Sequence, residues 1–174
     1  MRRASSATVV TGMFLLLVVS GCGKLTRPEA ARIYSGQITE HDQTITVSFE
    51  PMSRVDPAWT YANLDKQKQA ALVGGGYVRE FRGLFGAPCI APTDKMMPYL
   101  TQPARAGQTI HVNLAVFDGV DVTGIAESSK NNCSVEGVVR YKPNELGSLV
   151  LDPRDLARHF EVGFKKYDDG WRVD

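Results

Sequence analysis

The sequence predicts an α+β domain in which one main helix, residues 63–85, packs on a curved antiparallel sheet that begins with an N-terminal hairpin. Three observations lead there. Apolar and polar residues alternate in short runs at 44–49, 110–117 and 160–164, which is the period of a half-buried strand. Between 63 and 85 the apolar residues instead fall at helical spacing. Polar clusters separate the alternating runs: Asp118-Gly119, residues 128–132 and Asp168-Asp169-Gly170 read as turns.

In chain order, residues 33–38 and 44–50 flank a polar stretch, 39–43, and read as the hairpin. Ile45, Val47 and Phe49 take one face of its second strand, and His41 lies in the solvated loop. The two prolines of residues 51–59 mark a loop. The helix follows, with Ala70, Val73, Tyr77, Phe81 and Leu84 on one face, Asn63 or Asp65 as its cap and Gly86 past its end. Gly74-Gly75-Gly76 interrupt it. Each glycine costs about 1 kcal/mol relative to alanine in a helix interior. Either the helix approaches the sheet very closely there or it breaks into two elements. The triplet is no phosphate loop, because no Lys-Ser/Thr follows it.

Residues 87–108 contain four prolines and little periodicity, and read as a long irregular connection. Met96-Met97-Pro98-Tyr99-Leu100 within it is apolar enough for a contact surface or for a cover over one end of the core. The last third is strand-rich: 109–117, a partner over 120–127, a strand over 133–141, a short helical piece near Pro153, and a closing hairpin. In that hairpin Phe160, Val162 and Phe164 share the core face with Trp171 and Val173.

The N-terminus carries a different signal. Arg2 and Arg3 precede an apolar run, Met13 to Val19, too short for the roughly 20 residues a bilayer span needs. A basic start, a short apolar core and small residues after it read as an export signal. Val19-Ser20-Gly21-Cys22 resembles the bacterial lipobox. That resemblance implies transfer of a diacylglycerol to the Cys22 thiol, cleavage before Cys22 and acylation, palmitate included, of the new amino group. Several acyl chains anchor a protein stably, at about 0.8 kcal/mol per buried methylene. The resulting division is a signal peptide at 1–21, an acylated anchor and tether at 22–32, and one α+β domain at 33–174. Gly23 and Lys24 follow the cysteine where lipoproteins kept at the inner membrane tend to carry Asp. The resemblance therefore implies an outer-membrane location facing the periplasm.

The mature chain would have about 150 residues, the length of one domain. The full sequence has 20 Lys and Arg against 19 Asp and Glu. Nothing in that balance resembles a nucleic-acid footprint, which would need a clustered basic surface. Cys89 and Cys133 remain after Cys22. In an oxidising compartment an even pair suggests a disulfide, closing a loop of about 45 residues and contributing about 4 kcal/mol; the alternative is two separate buried thiols. The three histidines show no ligand spacing, so neither a metal nor a cofactor is expected.

The ending, a strand followed by Asp168-Asp169-Gly170-Trp171-Arg172-Val173, is similar to the last hairpin of NTF2-like and cystatin-like domains. That resemblance covers about the last 70 residues and implies a helix packed on a curved sheet around a cavity. The order of elements departs from the family, since a hairpin precedes the helix, and this leaves open another α+β arrangement or a sandwich with an inserted helix. A catalytic Asp/His pair, where that family has one, would here be His111 with Asp118 or Asp121. His111 lies on the polar face of its strand and Asp118 is accounted for by its turn, so no enzyme is expected. The leading expectation is a membrane-anchored lipoprotein that binds or assembles an envelope protein partner. The alternative is a binding protein for a small molecule or cell-wall fragment, with Tyr77, Phe81 and Trp171 lining a pocket between helix and sheet.

Overall fold

The computed structural model describes residues 24–52, 58–61, 64–83, 86 and 88–174. The lipobox, Cys22 included, lies outside them. The described chain folds as one eight-stranded sheet in which every neighbouring pair is antiparallel. The strands are β1 (Thr44–Pro51), β2 (Trp59–Tyr61), β3 (Val78–Arg82), β4 (Pro88–Pro92), β5 (Ile110–Ser129), β6 (Asn132–Pro143), β7 (Ala157–Tyr167) and β8 (Gly170–Val173). Their spatial order is β3-β4-β2-β1-β5-β6-β7-β8. Three short helices accompany them: α1 (Arg27–Ser35), α2 (Lys66–Gly74) and α3 (Gly147–Val150).

This corrects the expectation of one main helix on a sheet. The segment 63–85 holds a nine-residue helix, a turn and an edge strand. Asp65 caps α2, its side chain accepting from the Lys68 N–H at 2.9 Å. The glycine triplet ends the helix: Gly75 is its C-cap, and Gly76 takes φ +72°, a conformation that costs L-residues with a side chain about 1–2 kcal/mol. Tyr77, Val78 and Phe81 mimic a helical face, but they sit after that turn, and only Tyr77 and Val78 are buried. The expected N-terminal hairpin is also absent. Residues 33–35 of its first half form the end of α1, where Thr26 caps the helix by accepting from the Glu29 N–H and Pro28 fits the first turn. Leu25 and Ala30, within the segment read as a tether, are buried against β6 and β7.

β5 explains how one strand of 20 residues serves a single core. Its apolar residues change parity along the chain: Ile110, Val112 and Leu114, then Ala115 and Phe117, then Val120 and Val122, then Ile125. The register against its neighbours shifts at Ile45/Thr46, at Phe117/Gly119 and at Val122/Gly124. Each bulge adds one residue and returns the next apolar side chain to the same face. Asp118-Gly119, read as a turn, is one of these bulges, with Gly119 at φ +153°. On the core side lie Val47 and Phe49 of β1, Val135, Val139 and Tyr141 of β6, and Phe160 and Phe164 of β7, in clusters that share Tyr34, Phe160 and Leu151. The other face is polar over most of its width and includes Ser48, His111, Asp121, Glu136, Arg140 and Glu161.

Candidate functional site

The core-side face has an open cleft of about 280 Å3 where α1 and the 3-10 turn Glu40–Gln43 meet β6 and β7. One aromatic stack and one cation–π pair build it. The Phe160 ring occupies the space over Gly137, its cross-strand partner, and the Tyr34 ring stacks on Phe160 with centroids 3.9 Å apart and planes 14° from parallel. Beside this pair, the Tyr141 hydroxyl donates to the Asp42 carbonyl at 2.8 Å, holding the 3-10 turn to β6. The Arg158 guanidinium stands over the Tyr141 ring, 5.2 Å from its centroid. Gln37, Ile38, Val139 and His159 complete the lining.

The cleft therefore offers aromatic faces, hydroxyl groups, the Arg158 cation, the Asp42 carboxylate and the His159 imidazole. Burial pushes the Tyr34 hydroxyl above its ordinary value, and the charge of Asp42 and the neighbouring Tyr141 add to this. It stays protonated at neutral pH and serves as a donor. Such a lining suits recognition. Tyr and Arg are over-represented among residues that dominate protein interfaces, because each gives a large contact area and a directed polar group.

The sequence-predicted site residues are not brought together. Tyr77 is fully buried beside α2, Phe81 is 38% exposed on β3, and Trp171 packs with Phe164 on β8. β3 and β8 are opposite edges of the sheet, so no pocket joins the three. The expected disulfide is not formed. Cys89 on β4 and Cys133 on β6 are both buried thiols, and three strands lie between them. Four strand steps span on the order of 19 Å, and a disulfide needs Cα atoms within about 7 Å. Cys133 also shares the core face with Val135, whereas Cys89 alternates with the core residue Ile90.

His111 meets Ser48, its cross-strand partner, with Nδ1 2.8 Å from the hydroxyl. Asp118 and Asp121 are seven and ten residues further along the same strand, and Asp121 pairs with Arg140 at 3.0 Å. The Asp/His combination considered from sequence is thus far apart. Among the described residues no His, Cys, Asp and Glu side chains gather in groups of three that would hold a metal. No helix among them is long and apolar enough to cross a membrane. Comparison with known proteins finds no matching family model, no matching curated protein and no matching solved structure.

Sequence patterning places Tyr34 in a strand, and so does not bring it to Phe160; the structure does so through α1. Thr26-Arg27-Pro28-Glu29, a capping sequence with proline in the first turn, was the signal that a helix starts there.

Proposed function

We propose that the chain is an envelope lipoprotein, acylated at Cys22 and held at the outer membrane facing the periplasm, that binds a protein partner without catalysing a reaction. The observation that carries the binding role is the Tyr34–Phe160–Tyr141–Arg158 cleft, which is open to solvent and already assembled. A preformed cleft spares the partner the cost of ordering these side chains. Its occupant would be a segment bearing an aromatic or aliphatic side chain for the stacked rings and a carboxylate for Arg158.

The experiment is capture of partners from envelope extracts with the full-length protein and with Arg158→Glu and Tyr34→Ala. The reading predicts one stoichiometric partner, retained at least tenfold less by either variant. No stoichiometric partner, or equal capture by the variants, refutes it.

A second reading, a carrier of a small molecule or cell-wall fragment, is favoured by one feature. The cleft lies between a helix and the sheet, and its stacked rings and guanidinium suit a sugar ring bearing a carboxylate. Thermal shifts with cell-wall fragments, absent in Arg158→Glu, separate it from the first.

A further inference from the structure

Lys24 lies two positions after Cys22; its exposed ammonium pairs with Glu127 near the end of β5 at 3.3 Å, and the next residue, Leu25, is buried in the cluster with Cys133 and Phe164. That end of the sheet is a definite place. The β5–β6 hairpin closes at Ser129↔Asn132, Asn132 pairs with Lys165, and the β7–β8 turn closes at Tyr167↔Gly170. The Lys166 N–H donates to the Asn131 carbonyl at 2.8 Å, tying the two tips together. The chain that emerges from the proposed anchor therefore arrives where both tips project.

Chemistry concentrates at this end. Lys130 is exposed on one tip, and Lys165, Lys166 and Arg172 border the other, so with Lys24 there are five basic side chains against Glu127, Asp168, Asp169 and, one residue beyond Val173, Asp174. Glu127 is engaged by Lys24 and Asp169 by Arg172. Aromatic rings sit among the cations: Tyr167, 44% exposed, lies 5.8 Å from the Lys165 ammonium and 5.2 Å from the Arg172 guanidinium, and Trp171 lies 5.8 Å from Lys166. A hollow of about 170 Å3 lined by Leu25, Ile125 and Trp171 opens beside Lys24. Tyr and Trp with Lys and Arg at one level is the composition that settles at a membrane interface, where rings enter the headgroup layer and cations meet anionic lipid.

We infer that this end of the sheet rests on an anionic lipid surface, so that the anchor sets the orientation of the domain as well as its location. The inference rests on the lipoprotein reading, since proximity to Cys22 is half of its argument. The aromatic cleft between α1 and β6–β7 would then stand at a fixed attitude to the bilayer.

The test uses the full acylated chain in nanodiscs of phosphatidylcholine, with and without phosphatidylglycerol. Hydrogen exchange is followed at residues 128–132 and 167–170, with residues 93–99 on the other half of the sheet as reference. Anionic lipid is expected to slow exchange at both tips and not at the reference. Lys130→Glu/Lys165→Glu is expected to abolish the slowing, each lysine being worth about fivefold in surface partitioning. Both lysines are exposed, so the variant keeps its fold. Equal exchange in the two lipids, or slowing that survives charge reversal, overturns the inference while acyl groups on the intact mass leave the anchor standing. A mass without acyl groups removes the anchor and this inference with it.

Discussion

Adding one methyl group at Gly137 tests how the cleft is built. A Cβ placed there would lie 2.5 Å from the Phe160 ring and 2.6 Å from the Asp121 carbonyl oxygen, where ordinary contacts begin near 3.4 Å. Phe160 would have to retreat by about 1 Å, yet Tyr34 is stacked on it, and close-packed interiors offer no slack on that scale. The carbonyl cannot retreat either, because Asp121 and its neighbours are paired with β6. Overpacking of this kind costs about 1–3 kcal/mol, and with a backbone atom among the contacts Gly137→Ala falls near the upper end. For a domain of this size that lowers Tm by roughly 4–12 °C. Thermal denaturation with near-ultraviolet circular dichroism would show the lower Tm together with a changed aromatic signal as Tyr34 and Phe160 separate. A Tm within about 1 °C of the parent, with the aromatic signal unchanged, would refute this packing of Gly137, Phe160 and Tyr34.

Other expectations follow from the same structure. Gly74→Ala, at the last helical position of α2 with open space around its Cβ, is expected to stabilise by about 0.5–1 kcal/mol, whereas Gly76→Ala at φ +72° should lose about 1–2 kcal/mol; urea unfolding of the pair distinguishes a helix stop from a continuous helix, in which both would stabilise. Thiol titration of the denatured, unreduced protein should find Cys89 and Cys133 both reactive, and in the native protein Cys133 should react slowly, because burial first and Glu127 second push its thiol up. A chain without titratable thiols would restore the disulfide. Glu145 is held below its ordinary value of 4.5 by the Tyr77 hydroxyl first and then by the Lys95 ammonium, 3.3 Å away. A carboxyl depressed in the folded state stabilises at neutral pH, and that contribution is lost as pH falls below 4.5 toward the lowered value. Denaturation from pH 6 to pH 3 should therefore show a shallower acid loss in Glu145→Gln than in the parent, and parallel curves would contradict it.

What the sequence disclosed follows from how evenly its patterns alternate. Ile45, Val47 and Phe49 mark β1, Phe160, Val162 and Phe164 mark β7, and Asp168-Asp169-Gly170 marks the turn into β8; all three elements stand in the structure. The same logic misread β5 after Phe117, because a bulge at Asp118-Gly119 resembles a turn when only local residues are considered. β3 was hidden for another reason. As an edge strand it buries Val78 and exposes Arg79 to Arg82, so it has no period of two to detect. β4 carries proline at both ends, where the ladder tolerates it, and read as loop. The cleft was least legible, since Tyr34 and Phe160 are more than 120 residues apart and meet only through the packing of α1 on the sheet.

The central claim is the anchored lipoprotein, and intact-mass measurement of the protein extracted from membranes tests it most directly. The account predicts residues 22–174 plus acyl groups, with a mass unchanged by reduction. An unacylated chain, or one that still carries residues 1–21, would contradict it.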